Sequence, residues 1–166
     1  MTMPPDSTTP APARHKPNVI RAVWAGEHRF DTARTDGTPG MRLDGSSKTG
    51  QSPPDAMLSA LAACSGVDVV DIMAKRRTPV ERLAIEVQGS RRDEMPRRFE
   101  RVTIIYELDG AGIERVHAER AVQLAFEKYC SVAASFAPDI QVDTVIVLNG
   151  ERGPSTGQVI WSEGLL

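Results

Sequence analysis

The sequence lacks the signals of several large protein classes. Its net charge is −2 at pH 7, from 20 basic and 22 acidic residues, so long-range electrostatics gives no reason to expect nucleic acid or an anionic membrane as a partner. No uninterrupted apolar run predicts a membrane span, and the N-terminus has no hydrophobic signal-peptide core. These absences predict a cytoplasmic protein with neither a nucleic-acid nor a membrane partner.

Motifs for metal, nucleotide and hydrolase chemistry are also missing. The three histidines and two cysteines have no metal-ligand spacing, and there is neither a glycine-rich phosphate loop nor a Gly-x-Ser-x-Gly elbow. We therefore expect no zinc site. The cysteines lie far apart in the chain, with no CxxC. In a reducing compartment they are either two unrelated buried thiols or a transient redox pair.

The order of the remaining segments predicts one compact α+β domain between two tails. Residues 1–17 carry five prolines and lack apolar periodicity, which predicts a disordered N-terminal tail. The stretch ERGPSTGQ is loop-like, so residues 150–166 are interpreted as a C-terminal tail, whose closing VIWSEGLL is apolar enough to dock on the body or on a neighbour. The domain then spans residues 18–149.

Apolar periodicity predicts the elements of this domain. Steps of three and four residues predict a long helix from Pro53 to about Arg76, apolar or small nearly all round and therefore buried, and a second helix from Ile113 to Tyr129. Alternation predicts four strands: Val19–Ala25, Leu83–Val87, Val102–Tyr106 and Ile140–Leu148. Two shorter candidate strands, around Arg29–Ala33 and around Met41–Asp44, lie on either side of the turn-rich TDGTPG.

Both cysteines lie beside small residues. Cys64 is in the middle of the long helix, where Ala63, Ser65 and Gly66 would leave space for a peroxide to meet a thiolate. Cys130 lies at the end of the second helix. If the two helices pack, a disulfide between the cysteines could recover a sulfenic acid, but the sequence leaves their separation open. Each cysteine can equally be a small buried hydrophobe.

Two stretches resemble the OsmC/Ohr family. The stretch SPPDAMLSALAACSGVDVVDIMAKRR is similar to the signature in which a proline-acid loop opens a long central helix with the reactive cysteine. The stretch RAVQLAFEKYCSVAASF resembles the second-cysteine segment, and EKYCSV together with RRDEMPRRFERVTI resembles the YhfA-like branch most closely. The resemblance runs from about Val19 to Val147, with the motifs in the family's order.

The resemblance implies a fold, an assembly and an activity. The fold is α+β, with antiparallel sheets packed around a long buried central helix, and the assembly is an intertwined homodimer with two active sites at its interface. The activity is reduction of organic hydroperoxides in an oxidative stress response. Cys64 would attack the O–O bond, become a sulfenic acid and condense with Cys130, and a dithiol such as a lipoyl group would reduce the disulfide. No metal or organic cofactor takes part.

One position departs from the family's pattern. In better-studied members of the family that this chain resembles, a glutamate lies ten residues before the reactive cysteine, and an arginine of an early strand pairs with that glutamate. Here Pro54 holds that position and the acid is Asp55. Nine residues of straight helix span about 13 Å, so Asp55 could act only across the dimer or by holding an arginine. Alternatively, Asp55 is just the acid of the first helical turn.

For the family's arginine, Arg42 is the best candidate, because it lies on the predicted strand just before the signature loop. Arg21 and Arg29 are the alternatives, and a surface role for each of them stays open.

Two further hypotheses compete with the peroxidase. One is a non-enzymatic dimer that binds a small molecule or an acyl group in the interface pocket, which the missing glutamate motivates. The other is a redox sensor that uses the same disulfide to alter a contact with a partner.

Overall fold

A computed structural model describes residues 16–160. The predicted N-terminal tail, residues 1–17, therefore lies almost wholly outside the described residues. Backbone contacts divide the chain between Ser52 and Pro53 into two compact units. The single domain over residues 18–149 stays a prediction.

Three antiparallel strands form the sheet of the first unit. They are β1 (Ile20–Trp24), β2 (Arg29–Arg34) and β3 (Arg42–Asp44), hydrogen-bonded in that order. Each coincides with a strand or candidate strand of the sequence analysis. Before β3, the Thr32 carbonyl oxygen lies where a side chain at Gly40 would begin, so this close approach requires glycine.

The sheet of the second unit has four strands in the order β4-β5-β6-β7. β4 (Arg82–Arg91) and β5 (Phe99–Asp109) form an antiparallel hairpin. β6 (Gln141–Leu148) runs parallel to β5, so this sheet is mixed and the expectation of purely antiparallel sheets is wrong here. The cause is the helical connection between β5 and β6, because only a long crossover can join parallel neighbours.

β7 (Glu151–Gln158) occupies the segment that the sequence analysis interpreted as a loop-like tail. It pairs antiparallel with β6, and the pairing shifts register between Val145 and Val147, opposite Pro154. An edge strand tolerates proline at such an irregularity, because no neighbour needs its missing N–H. Its side chains are mostly exposed, so the strand has no apolar alternation for a sequence pattern to detect.

Helix α1 (Pro53–Lys75) ends within one residue of its predicted end. Only one stripe of it is buried, however, so the expectation of burial nearly all round does not hold within the single chain. The buried stripe consists of Leu61, Ser65, Gly66, Val69 and Met73. Met57, Val67 and Val70 are exposed. By length and composition alone α1 could also cross a membrane, contrary to the sequence expectation, although the core helix of a soluble protein meets the same criteria.

The predicted second helix is divided into parts. α2 (Arg115–Leu124) continues as a single π-helical turn over Ala125–Tyr129, and the chain leaves the helical conformation at Cys130 before α3 (Ser131–Ala134). The core of the second unit lies between these helices, α1 and the sheet, and its largest fully buried side chains include Tyr106 and Phe126.

A glycine sets how closely α1 approaches the sheet. A Cβ atom at Gly66 would lie only 2.8 Å from Ile85 Cδ1 on β4. A side chain here would therefore force the end of Ile85 to move, so glycine favours this close packing. The close approach fixes the middle of α1, where Cys64 lies, against the sheet.

Candidate functional site

Three chemically reactive side chains meet where α1 contacts the segment between α2 and β6. Cys64 and Asp68 lie one turn apart on the same face of α1. Cys130 comes from the junction of the π-helical turn and α3. The two sulfur atoms and a carboxylate oxygen of Asp68 lie within 4.8 Å of one another. Packing of the helices therefore brings together the two cysteines that are far apart in the sequence.

Cys130 is the buried member of the pair, with 3% of its surface exposed. Its Sγ atom accepts a hydrogen bond of 3.4 Å from the Ala133 N–H, and so caps the short helix α3. Burial raises the pKa of the Cys130 thiol to about 12; the Ala133 N–H opposes this shift, whereas Cys64 and Asp68 add to it. At neutral pH Cys130 is therefore a protonated thiol.

Cys64 is the more accessible cysteine. Its side chain is only partly buried, and its Sγ atom lies 3.9 Å from the Ser131 hydroxyl oxygen at the start of α3. A reagent from solution would meet this sulfur first, because Cys130 lies beneath the surface. The difference in exposure matches the order of events that the family resemblance implies, with Cys64 reacting first.

Asp68 was not among the residues that the sequence analysis selected. Its Oδ2 atom is buried and has no hydrogen-bond partner. Burial raises the pKa of this carboxyl group, and the negative charge of Asp71 on the same helix raises it further. A buried carboxyl oxygen without a partner is costly for a folded protein, so its presence beside two sulfurs calls for a function. The sequence signal that could have identified Asp68 is its spacing of four residues from Cys64, which puts both side chains on one face of a helix.

A buried hydrogen bond supports the site from below. The Tyr106 hydroxyl on β5 donates to Ser65 Oγ at 2.7 Å, and the Ser65 hydroxyl donates to the Ala62 carbonyl oxygen at 3.3 Å. Burial raises the pKa of Tyr106, so the phenol stays neutral and keeps its proton for this bond. Because Ser65 directly follows Cys64, the bond ties the helix to the sheet at the reactive position.

Arg42 and Asp55 lie in different settings from the cysteines. Arg42 is on β3, where its guanidinium group donates two hydrogen bonds of 2.7 and 2.8 Å to the carboxylate of Asp31. This pairing lowers the pKa of Asp31 and raises that of Arg42. Asp55 lies in the first turn of α1, nine residues before Cys64. A chemical role for either residue stays a prediction.

The alternatives to Arg42 also lie in the first unit. Arg21 is on the exposed strand β1, and the guanidinium group of Arg29 on β2 lies 3.6 Å from the Glu27 carboxylate. A surface role for both arginines therefore stays open.

A cavity elsewhere in the second unit is not lined by either cysteine. It has a volume of about 360 Å³ and lies between α2 and the strands β6 and β7. Its wall includes Arg120, Glu127, Thr144 and Gln158. Its wall holds no cysteine and no other nucleophile of comparable reactivity, so we regard the cluster of Cys64, Asp68 and Cys130 as the candidate site.

Comparison with known proteins reveals similarity in sequence and in fold. A family model described as OsmC-like protein matches residues 45–145, which contain both cysteines. Protein YhfA of Escherichia coli is 37% identical over 92 residues, covering 55% of this chain and 69% of YhfA. A hypothetical protein from Aquifex aeolicus has a similar solved structure, with a TM-score of 0.72, 27% identity, and coverage of 81% of this chain and 98% of that chain. The organic hydroperoxide resistance protein OhrB of Bacillus subtilis shares the fold, with a TM-score of 0.53, 19% identity, and coverage of 81% and 98%.

Proposed function

Because this chain belongs to the OsmC-like protein family and has its fold, we propose that it is a two-cysteine thiol peroxidase that reduces organic hydroperoxides. The observation that carries the proposal is the pair of sulfurs within 4.8 Å, one partly exposed and one buried. An organic hydroperoxide is proposed as the substrate because the Bacillus subtilis neighbour is named an organic hydroperoxide resistance protein.

The reaction begins at the accessible sulfur. The Cys64 thiolate attacks the terminal oxygen of the hydroperoxide, the O–O bond breaks, and the leaving alkoxide takes a proton and departs as an alcohol. Cys64 is then a sulfenic acid. The Cys130 sulfur attacks the Cys64 sulfur, water leaves, and a disulfide forms. Two thiol–disulfide exchanges with a dithiol, such as a reduced lipoyl group, restore both thiols.

Closing the disulfide requires a small movement. Bonded sulfurs are about 2.05 Å apart, so the two side chains have to approach from their present separation. Cys64 lies inside a regular helix, whereas the backbone at Cys130 has left the helical conformation (φ −70°, ψ 98°). We therefore expect the segment around Cys130 to supply most of the movement, and to lose the hydrogen bond between Ala133 N–H and Cys130 Sγ.

A single-turnover experiment tests the proposal. Reduced protein is mixed with one equivalent of cumene hydroperoxide, and free thiols are counted. The wild type should lose both thiols and form a Cys64–Cys130 disulfide that peptide mass spectrometry identifies. Cys64→Ser should consume no peroxide, and Cys130→Ser should consume one equivalent and keep a sulfenic acid that dimedone labels. Peroxide consumption no faster than that of free cysteine would refute the proposal.

Arg42 is the proposed cation that assists the reaction at Cys64, and its ion pair with Asp31 offers a matched test. Arg42→Gln should slow the reaction with hydroperoxide by roughly 100-fold, because removing one well-placed hydrogen-bond donor to a charged transition state has an effect of that size. Asp31→Asn breaks the same ion pair but keeps the cation, so it should retain most of the rate. Equal losses in the two variants would mean that the ion pair matters only for structure. If Asp55 holds this arginine, Asp55→Asn should reproduce the loss of Arg42→Gln.

The homodimer, the cytoplasmic location and the dithiol reductant belong to the same proposal. Exposed apolar side chains on α1, among them Met57, Val67 and Val70, support a contact between subunits, because large apolar patches are seldom left in water. Sedimentation should show a dimer, and Val67→Asp should weaken it. Turnover with reduced lipoamide but not with glutathione would support the dithiol.

The non-enzymatic alternative has its own supporting observation. Pro54 holds the position of the family's glutamate, so the activating pair of better-studied members is incomplete. In that case both thiols should survive exposure to the peroxide, while a bound small molecule or acyl group accompanies the purified dimer. A redox sensor would instead form the disulfide once and change its oligomeric state or partner binding without turnover.

A further inference from the structure

We propose that the reduced protein binds one thiophilic divalent cation, with Zn²⁺ as the reference ion, through Cys64 Sγ, Cys130 Sγ and the carboxylate of Asp68. The three donor atoms already lie within 4.8 Å of one another. The site uses the same sulfurs as the proposed peroxidase but does not depend on that activity, because a metal needs only the reduced thiols.

The geometry is close to that of a tetrahedral zinc site. Zinc binds cysteine sulfur at about 2.3 Å and carboxylate oxygen at about 2.0–2.2 Å, which places neighbouring donor atoms about 3.5–3.8 Å apart. Donor atoms within 4.8 Å of one another therefore have to shift by no more than about 1 Å. Side-chain rotation at Cys64, which is only partly buried, can supply such a shift without displacing α1.

Asp68 supplies independent evidence for a cation. Its Oδ2 atom is one of two buried side-chain oxygen or nitrogen atoms in the described part of the chain that have no hydrogen-bond partner. A buried carboxyl oxygen normally has a donor or a metal as its partner. A cation held between the sulfurs and the Asp68 carboxylate would give this carboxylate a partner of opposite charge.

The donor set selects the kind of ion. Two thiolates with one carboxylate favour zinc or another thiophilic ion, whereas Mg²⁺ and Ca²⁺ prefer shells made of oxygen alone. Three negative donors exceed the charge of a divalent cation by one, so a neutral fourth ligand suits the site. Water can reach the side of Cys64 that is open to solvent, and the Ser131 hydroxyl lies 3.9 Å from the Cys64 sulfur.

Cobalt serves as the spectroscopic probe, because Co²⁺ bound to thiolates in a tetrahedron gives strong near-ultraviolet charge-transfer bands and intense visible bands. The reduced full-length chain should bind one Co²⁺ per chain with both sets of bands, and one equivalent of Zn²⁺ should abolish them. Failure of these bands to appear would overturn the proposal.

Variants identify the ligands. Cys64→Ser and Cys130→Ser should each weaken Zn²⁺ binding by more than roughly 100-fold, since even the loss of an outer partner of a metal ligand costs about 10- to 100-fold. Asp68→Asn should weaken it by roughly 10-fold or more on the same scale. Asp71→Asn is the matched control, because Asp71 is an exposed acid on the same helix outside the cluster; it acts on Asp68 only through its charge and should change the affinity much less than Asp68→Asn does. Equal affinities of Asp68→Asn and Asp71→Asn would exclude Asp68 as a ligand.

Oxidation provides a test that needs no substitution at the buried cysteine. Diamide joins the two thiols as a disulfide, and its azo group takes up the two electrons and two protons. Because the disulfide leaves neither sulfur able to act as a thiolate ligand, oxidised wild-type protein should release its cobalt. A cobalt spectrum unchanged after complete disulfide formation would overturn the proposal. Peroxide consumption is measured separately in chelator-treated buffer. The metal-binding proposal and the peroxidase proposal are therefore tested independently, and one can fail while the other holds.

Discussion

Each of the two units is stabilised internally by a different kind of interaction. The second unit has a continuous apolar core, in which Phe126 is 1% exposed. In the described part of the first unit only Asp44 is buried, while Trp24 is 65% and Ile20 60% exposed. The first unit therefore depends on strand pairing and polar contacts, and the second on packing. The candidate site lies on the packed unit, where the packing of α1 against the segment around Cys130 brings the two sulfurs together.

The largest expected effect comes from a pair of phenylalanines, one in each unit. Phe126→Ala removes a fully buried ring and should lower the free energy of unfolding by about 3–5 kcal/mol. Phe30→Ala removes a ring that is 42% exposed, and should cost less than about 1 kcal/mol. Urea denaturation of the two variants measures the difference. Equal costs would show that the first unit has a core of its own.

The next effect concerns the buried hydrogen bond under the site. Tyr106→Phe should lower the free energy of unfolding by about 1 kcal/mol, because it removes one hydrogen bond and leaves the ring in place. It should also quicken alkylation of the cysteines, since α1 loses its tie to the sheet beside Cys64. Tyr129→Phe alters an exposed tyrosine and is the control. No difference between the variants would mean that packing alone positions α1.

Asp44 tests whether polar contacts stabilise the first unit. Its carboxylate accepts hydrogen bonds from Ser46 and Thr49 in the following loop, and these contacts, led by the Ser46 hydroxyl, hold its pKa well below the usual value. A carboxyl group with a lowered pKa in the folded state stabilises the fold above its unfolded pKa of about 4, and that stabilisation is lost as the pH falls.

Thermal melts at neutral pH and near pH 3 measure this contribution. Asp44→Asn should melt at a lower temperature than wild type at neutral pH, and the gap should narrow in acid, where wild type loses part of the same contribution. Asp93→Asn, at a fully exposed acid in the second unit, is the control and should leave both melts unchanged. A gap that stays constant with pH would show that the loop depends on the shape of Asp44 and not on its charge.

The smallest effect is expected at the exposed ion pair between Asp31 and Arg42. Asp31→Asn should shift the melting temperature only slightly, because exposed ion pairs contribute little. The shift should shrink further in high salt, which screens exposed charges. A large, salt-insensitive shift would show that this pair organises the first sheet.

Local patterns predicted most of the elements but not all of their pairings. The three- and four-residue periodicity of α1 and the alternation of β1, β4, β5 and β6 depend on neighbours in sequence, so they could be read directly. β7 escaped because an exposed edge strand containing Pro154 has no apolar alternation. The parallel pairing of β5 with β6 also escaped, since register between distant strands depends on the connection between them.

The sequence by itself determined that two cysteines lie beside small residues, in two motifs that resemble one family, because residue identity and spacing along a helix are local properties. Only the tertiary structure decided that the sulfurs are neighbours, that Cys130 is buried while Cys64 is accessible, and that Asp68 joins them. The physical reason is that separation and burial arise from the packing of α1 against the segment around Cys130, and no local pattern encodes a distance between segments so far apart in the chain.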